Sequence, residues 1–468
     1  MVFSSFVFIV LFLPVALILY CITPQRFKNI LLVAFSLIFY VWGLAENIWL
    51  LLGSILFNYL LGLLLGHLKD KAEPKLSRLI LTLGIIANLS VLFYYKYLLF
   101  ALKGVNLAFH SHISIGAIAL PVGISFFTFQ GIAYLVDIHK GRFEAEKNLV
   151  GIALYMSFFP KLVQGPIMRY SDIKSQLTGR RVTPELLASG INRFIIGLSK
   201  KVIIADILGL SADKIFGAVS LGMDTPTAWI GIICYTFQIY FDFSGYSDMA
   251  IGLGQMFGFK IIENFNYPYI SQSATELWRR WHISLSTWFR EYLYIPLGGN
   301  RKHVYFNIFI VFLATGIWHG ADLTFILWGA LYGVLIVIEK RFLLKKAWYE
   351  RLPAVLKGGF TFISVMLLWV LFRANSIRIA LDYYKALLGI GINTAKIEIF
   401  WQYYIDKRLI FTIVIAIAAS LPYAKLKERI ASSPRLATVK SVTLSLLFAV
   451  CVVYMINSTY SPFIYFQF

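Results

Sequence analysis

Charged side chains are scarce in this chain: of its 468 residues 14% are charged and 59% hydrophobic. A soluble globular domain carries about 25% charge, so that class is excluded at the outset. Cysteine is also nearly missing. Cys21, Cys234 and Cys451 stand far apart in or beside apolar sequence, which leaves neither a disulfide framework nor a thiolate metal site. There is no Gly-x-Ser-x-Gly elbow, no Walker-type phosphate loop, no dinucleotide fingerprint and no His-Glu-x-x-His pair. Internal repeats, low-complexity tracts and polar linkers are missing as well. A single integral membrane domain over residues 1–468 is therefore expected, with its core motifs at about 115–375.

What the chain does contain is apolar runs, each about 17–25 residues long and able to cross a hydrocarbon core as a helix. They do not alternate apolar with polar, so a membrane barrel is excluded. The expected fold class is an all-α polytopic membrane protein of about 9–12 crossing or re-entrant helices. The 43 Lys and Arg outnumber 23 Asp and Glu, for a formal charge of +20. Because the basic residues cluster in short loops, they mark the cytoplasmic side of a membrane, and nucleic acid is not an expected partner. The expected location is a cell membrane, crossed many times, with lipid as the surrounding partner. The first apolar run lacks a basic leader and a small-residue cleavage site, so it reads as a retained span.

Spans are predicted at about 3–22, 28–44, 47–66 and 79–100, with basic loops after the first and third. Pro121 and Gly123 predict a kinked or interrupted helix in 115–137, and Pro160, Gly165 and Pro166 predict a broken one in 148–167. Thr183 and Pro184 open a further helix. The apolar stretch 226–258 encloses Asp242 and Asp248, either as paired structural groups or as groups facing substrate. Further spans follow at about 358–373, 409–422 and 441–458, with a basic loop from Lys425 to Lys440.

Two stretches organise the rest. In SATELWRRWHISLSTWFREYLYIPLGGNR, Ser273 and Glu276 form a capping box that predicts one helix from there to about Tyr294. Trp278, Trp281, Leu285 and Trp288 share a broad face of it, and Arg279, Arg280 and Arg290 make it too cationic for the bilayer centre. In the second stretch, TGIWHGADLTFILWG, an apolar run of about 21 Å ends at Trp318, too short to span. His319 and Asp322 interrupt it before a second run, and both flanks are basic. This predicts a hairpin entered from the cytoplasm, with His319 near its deepest point.

Of the seven histidines, five sit in or beside polar loops, whereas His282 and His319 lie against tryptophan-rich apolar sequence. A desolvated, neutral imidazole suits removal of a hydroxyl proton during acyl transfer. Zinc is the competing use of two histidines, but no ligand spacing accompanies them.

Taken together, ELWRRWHISLSTWFREYLYIPLGGNR and GIWHG closely resemble the membrane-bound O-acyltransferase (MBOAT) family, in its polysaccharide-acetylating and D-alanyl-transferring branch. LPVGISFFTFQ, FFPKLVQGPIMRY, GLSKKVIIAD, FDFSGYSDMAIGLG, WVLFRA and the terminal SPFIYFQF extend the resemblance over most of the chain in order. The resemblance implies a helical bundle around a transmembrane tunnel, with His319 as the catalytic residue and His282 as a second functional histidine. Trp318, Arg279, Arg280, Gln130, Asp242 and Asp322 become candidates for the tunnel wall. It also implies that no cofactor is held. Acetyl-CoA or another cytoplasmic acyl thioester would be the donor, and an alginate-like or other exopolysaccharide the acceptor, reached directly or through an extracytoplasmic acetyltransferase partner. D-alanyl transfer is the alternative within the family. A transporter is the alternative outside it, although paired interrupted helices in two related halves are missing.

Overall fold

The computed structural model describes residues 2–43, 47–344, 346–390, 400–423 and 433–457; the terminal SPFIYFQF and residues 425–432 of the Lys425–Lys440 loop lie outside them. Helices joined by loops make up the described residues, among which there is no strand. Among the described residues five helices are long and apolar enough to cross a membrane: Ile48–Asp70, Pro74–Phe109, Leu323–Leu343, Ala354–Arg373 and Arg435–Asn457. Two shorter apolar helices, Phe8–Ile22 and Val304–His319, accompany them. The chain divides into two compact units, Met1–Phe194 with Met249–Ile262, and Ile195–Asp248 with Glu263–Phe468.

In the first unit, the helices Ile48–Asp70, Pro74–Leu92 and Ile124–His139 pack on one another. Buried polar pairs register them: the Asn58 and Asn88 side-chain amides exchange hydrogen bonds of 3.1 and 3.2 Å. The interruption predicted around Pro121 is complete, since the helix begins only at Ile124. Gly123 precedes it at φ +76°, and a Cβ there would stand 2.6 Å from the Leu162 carbonyl. Only glycine meets both demands. The 148–167 stretch is broken as predicted, into Leu149–Ser157, capped by the Asn148 side chain, and Phe159–Leu162.

The second unit holds both organising stretches. Val304–His319 and Leu323–Ile338 form the hairpin, closed by Asp322, whose carboxylate caps the second helix by accepting from the Thr324 N–H at 3.0 Å. Gly316 and Gly329 let the two backbones touch: a Cβ on Gly316 would lie 2.4 Å from the Phe325 carbonyl, and one on Gly329 2.5 Å from that of Phe312. Small residues at such crossings are the usual means of close helix approach in a membrane.

The helix predicted over Ser273–Tyr294 is not continuous. It runs from Ala274 to Arg280, stops, and resumes as Ile283–Phe289 and a wider-wound turn to Tyr294. The stop is made by His282 at φ +44°. That left-handed geometry costs a residue with a Cβ about 1–2 kcal/mol. Backbone bonds from the neighbouring loop hold it: the Ile283 N–H donates to the Asn264 carbonyl at 3.0 Å, and the Asn266 N–H to the Arg280 carbonyl at 2.9 Å. Trp278, Trp281, Leu285 and Trp288 are all buried, so their face packs on protein, while Arg279 and Arg290 remain exposed.

Candidate active site

The break in the Ser273–Tyr294 segment turns His282 into the second unit, where it is completely buried between the rings of Phe243, at 4.6 Å, and Trp318, at 6.1 Å. Its Nδ1 lies 3.1 Å from the Asn264 side-chain oxygen. The same oxygen accepts from the Ser284 N–H at 3.2 Å and the Ser284 hydroxyl at 2.8 Å, and the Asn264 amide NH2 donates to the Ser247 hydroxyl at 3.1 Å. His282 lies between two seven-residue helices, neither of which can cross a membrane. Burial favours the uncharged ring and lowers its pKa from the usual value.

His319 ends the first hairpin helix. Its ring is surrounded by Trp318 at 4.8 Å, Phe372 at 5.1 Å and Trp328 at 5.2 Å between centroids. The indole of Trp318 thus neighbours both imidazoles, and the second unit brings the two sequence-predicted histidines together through it. Exposure distinguishes them: His319 keeps 4% and His282 none.

The other candidates are distributed differently. Asp242 belongs to a buried ion cluster, 2.7 Å from Lys201, which also pairs with Asp206 at 2.7 Å. Lys200 pairs with Asp248 at 2.7 Å beside it. Of the two uses open to these carboxylates in the sequence, the geometry displays the structural one. Asp322 caps the hairpin helix, as above. Arg280 bonds to Glu276 at 2.9 Å and to the Asn266 carbonyl at 3.2 Å, whereas Arg279 is exposed. Gln130 is buried in the first unit, on the Ile124–His139 helix, where its backbone carbonyl accepts from the Tyr155 hydroxyl at 3.2 Å. Among the described residues no group of three His, Cys, Asp or Glu side chains gathers as metal ligands would.

Sequence reading missed Asn264, Ser284 and Glu339. Asn264 lies 18 residues before the histidine it touches, in a loop without periodicity, and carries no local signal. Glu339 is the opposite case, since a carboxylate closing an apolar run was visible. Its position was not: Glu339 accepts from the Ala274 N–H at 2.7 Å and the Thr275 N–H at 3.1 Å, so it caps the Ala274–Arg280 helix from the far end of the hairpin.

Residues 146–376 match the profile of MBOAT, the membrane-bound O-acyltransferase family. The chain is 40% identical to the probable alginate O-acetylase of Azotobacter vinelandii over the whole of both chains. It is 35% identical to the peptidoglycan O-acetyltransferase of Helicobacter pylori over 100% of this chain and 98% of that one. The teichoic acid D-alanyltransferase of Bacillus subtilis is 30% identical over 50% of this chain and 62% of its own.

Proposed function

Since the chain belongs to the membrane-bound O-acyltransferase family and is itself a membrane O-acyltransferase, we propose that it moves an acetyl group from a cytoplasmic thioester to a hydroxyl of an extracytoplasmic polysaccharide. The observation that carries this reading is His319, an imidazole at the break of an apolar hairpin that keeps a little exposure and shares Trp318 with a second, enclosed imidazole. His319 takes the proton of the attacking hydroxyl as the new C–O bond forms. The C–S bond of the donor then breaks, and the proton passes to the departing thiolate. A positioned base of this kind contributes about 10²–10⁴ in rate.

Acetyl is preferred over D-alanyl because the acetyl-transferring relatives match from end to end, whereas the D-alanyl-transferring one matches over half the chain. The donor fits acetyl-CoA, an anion suited to the basic loops assigned to the inner face of the cytoplasmic membrane. No cofactor is needed for this chemistry. The acceptor is an alginate-like polymer or another cell-envelope glycan, reached directly or through an extracytoplasmic acetyltransferase partner.

The test is acetyl content of the polymer made by cells carrying His319→Ala. O-acetylation is expected to fall by at least about 100-fold while the protein still accumulates in the membrane. Retained acetylation would remove His319 from the mechanism, and turnover of a D-alanylated carrier protein in place of acetyl-CoA would change the donor.

A further inference from the structure

The contacts of Asn264 determine more than the direction of one ring. A backbone N–H can only donate, so the Asn264 side-chain atom 3.2 Å from the Ser284 nitrogen is its carbonyl oxygen. With the oxygen so oriented, Nδ2 donates to the Ser247 hydroxyl, which can accept it. The oxygen so placed also accepts the Ser284 hydroxyl proton at 2.8 Å, which leaves that hydroxyl no proton to give to the ring. His282 Nδ1 stands 3.1 Å from the same oxygen and 3.4 Å from the Ser284 oxygen. Both are acceptors towards the ring, so Nδ1 carries the hydrogen. In a neutral imidazole, Nε2 then holds the lone pair. Among the described residues Nε2 has no hydrogen-bond partner.

We propose that Asn264 is a positioning residue: it locks His282 in the Nδ1–H tautomer and keeps it uncharged, so that a bare Nε2 faces the side of the ring away from the Asn264 loop. The proposal rests on the acyl-transfer reading for its consequence in rate, but not for the tautomer itself. An amide serves this purpose better than a carboxylate would. Both accept the Nδ1 proton, but a carboxylate in the same buried place would also stabilise the imidazolium and hold Nε2 protonated. The left-handed backbone at His282 has the same geometric result, because it carries the ring back onto the loop that bears Asn264. A residue held in so costly a conformation at a functional position is commonly part of the mechanism.

The experiment uses full-length protein in lipid nanodiscs with 15N-labelled histidine, with the His282 ring signals assigned by their loss in His282→Gln. The expected result is a protonated Nδ1 and an unprotonated Nε2 at neutral pH. A protonated Nε2 in the unaltered protein overturns the proposal whether or not the protein shows activity. Asn264→Asp keeps the acceptor oxygen and so the loop contacts to Ser284. In this variant the ring is expected to hold two protons at neutral pH and to lose one only as pH rises. Acyl transfer should accordingly be depressed at neutral pH, by about 10-fold for each pH unit by which the doubly protonated ring is stabilised, and should recover towards alkaline pH, with KM for the donor unchanged. A purely structural Asn264 would instead lower turnover equally at every pH, and that result would also overturn the proposal. Should the nitrogen signals follow the expectation while no acyl transfer is found in any form of the protein, the functional reading fails and the assignment of Asn264 stands.

Discussion

At the scale of single residues, position relative to a neighbour separates groups that composition treats alike. Lys201 is an ammonium with 1% exposure between two carboxylates, Asp206 and Asp242. Removing one member of a buried ion cluster leaves charge without compensation and costs about 3–5 kcal/mol. Lys201→Met is therefore expected to lower the thermal midpoint of the detergent-solubilised protein sharply, and double replacement with Asp242→Asn should recover part of that loss. A Lys201→Met protein as stable as the parent would contradict the cluster's structural role. The sequence displayed all three residues, but Asp242 is 41 positions from Lys201, and nothing in the chain order announces the pairing. His282 and His319 were legible for a different reason. An ionisable ring among tryptophans is unusual enough to single out without a partner in view.

Among elements, the hairpin was the easiest to recognise and the tryptophan-bearing helix the hardest. The hairpin follows from length alone: neither run is broken by charge, and the polar Asp322 can end one helix and cap the next. The interruption at His282 had no counterpart in periodicity, because the tryptophan spacing across it suits a continuous helix. Its cause is tertiary, in the backbone and side chain of Asn264. Gly316 and Gly329 test the hairpin directly. Gly329→Leu would place side-chain atoms where the Phe312 carbonyl already lies 2.5 Å from the position of a Cβ. The helices must separate, carrying Trp328 away from His319. Acyl transfer and solubilised yield are both expected to fall, whereas Val334→Leu, at an exposed position on the same helix, should leave both near parental levels. Equal behaviour of the two variants would show that close approach is not needed.

For the molecule as a whole, the Lys and Arg residues in the loops after the first and third spans predict that both loops face the same side of the membrane. The proposed transfer would start from the face that carries those loops. In sealed vesicles of known protein orientation, labelled acetyl-CoA is expected to support acetylation only when supplied to the face carrying those loops. Equal rates from either face would contradict the vectorial reading. The fold class and the membrane setting were open to composition, because hydrocarbon imposes helices wherever apolar runs are long enough. The division into two compact units was not. It interleaves the chain, with Met249–Ile262 belonging to the first unit and its flanks to the second, and no polar linker marks those borders.

Glu339 sits at the opposite end of its helix pair from His319, yet its carboxylate grips the start of the segment that carries His282. The hairpin therefore holds that segment like a caliper, by Trp318 at one jaw and by Glu339 at the other. A carboxylate remote from either imidazole is thus one of the two anchors that hold the His282 segment against the hairpin.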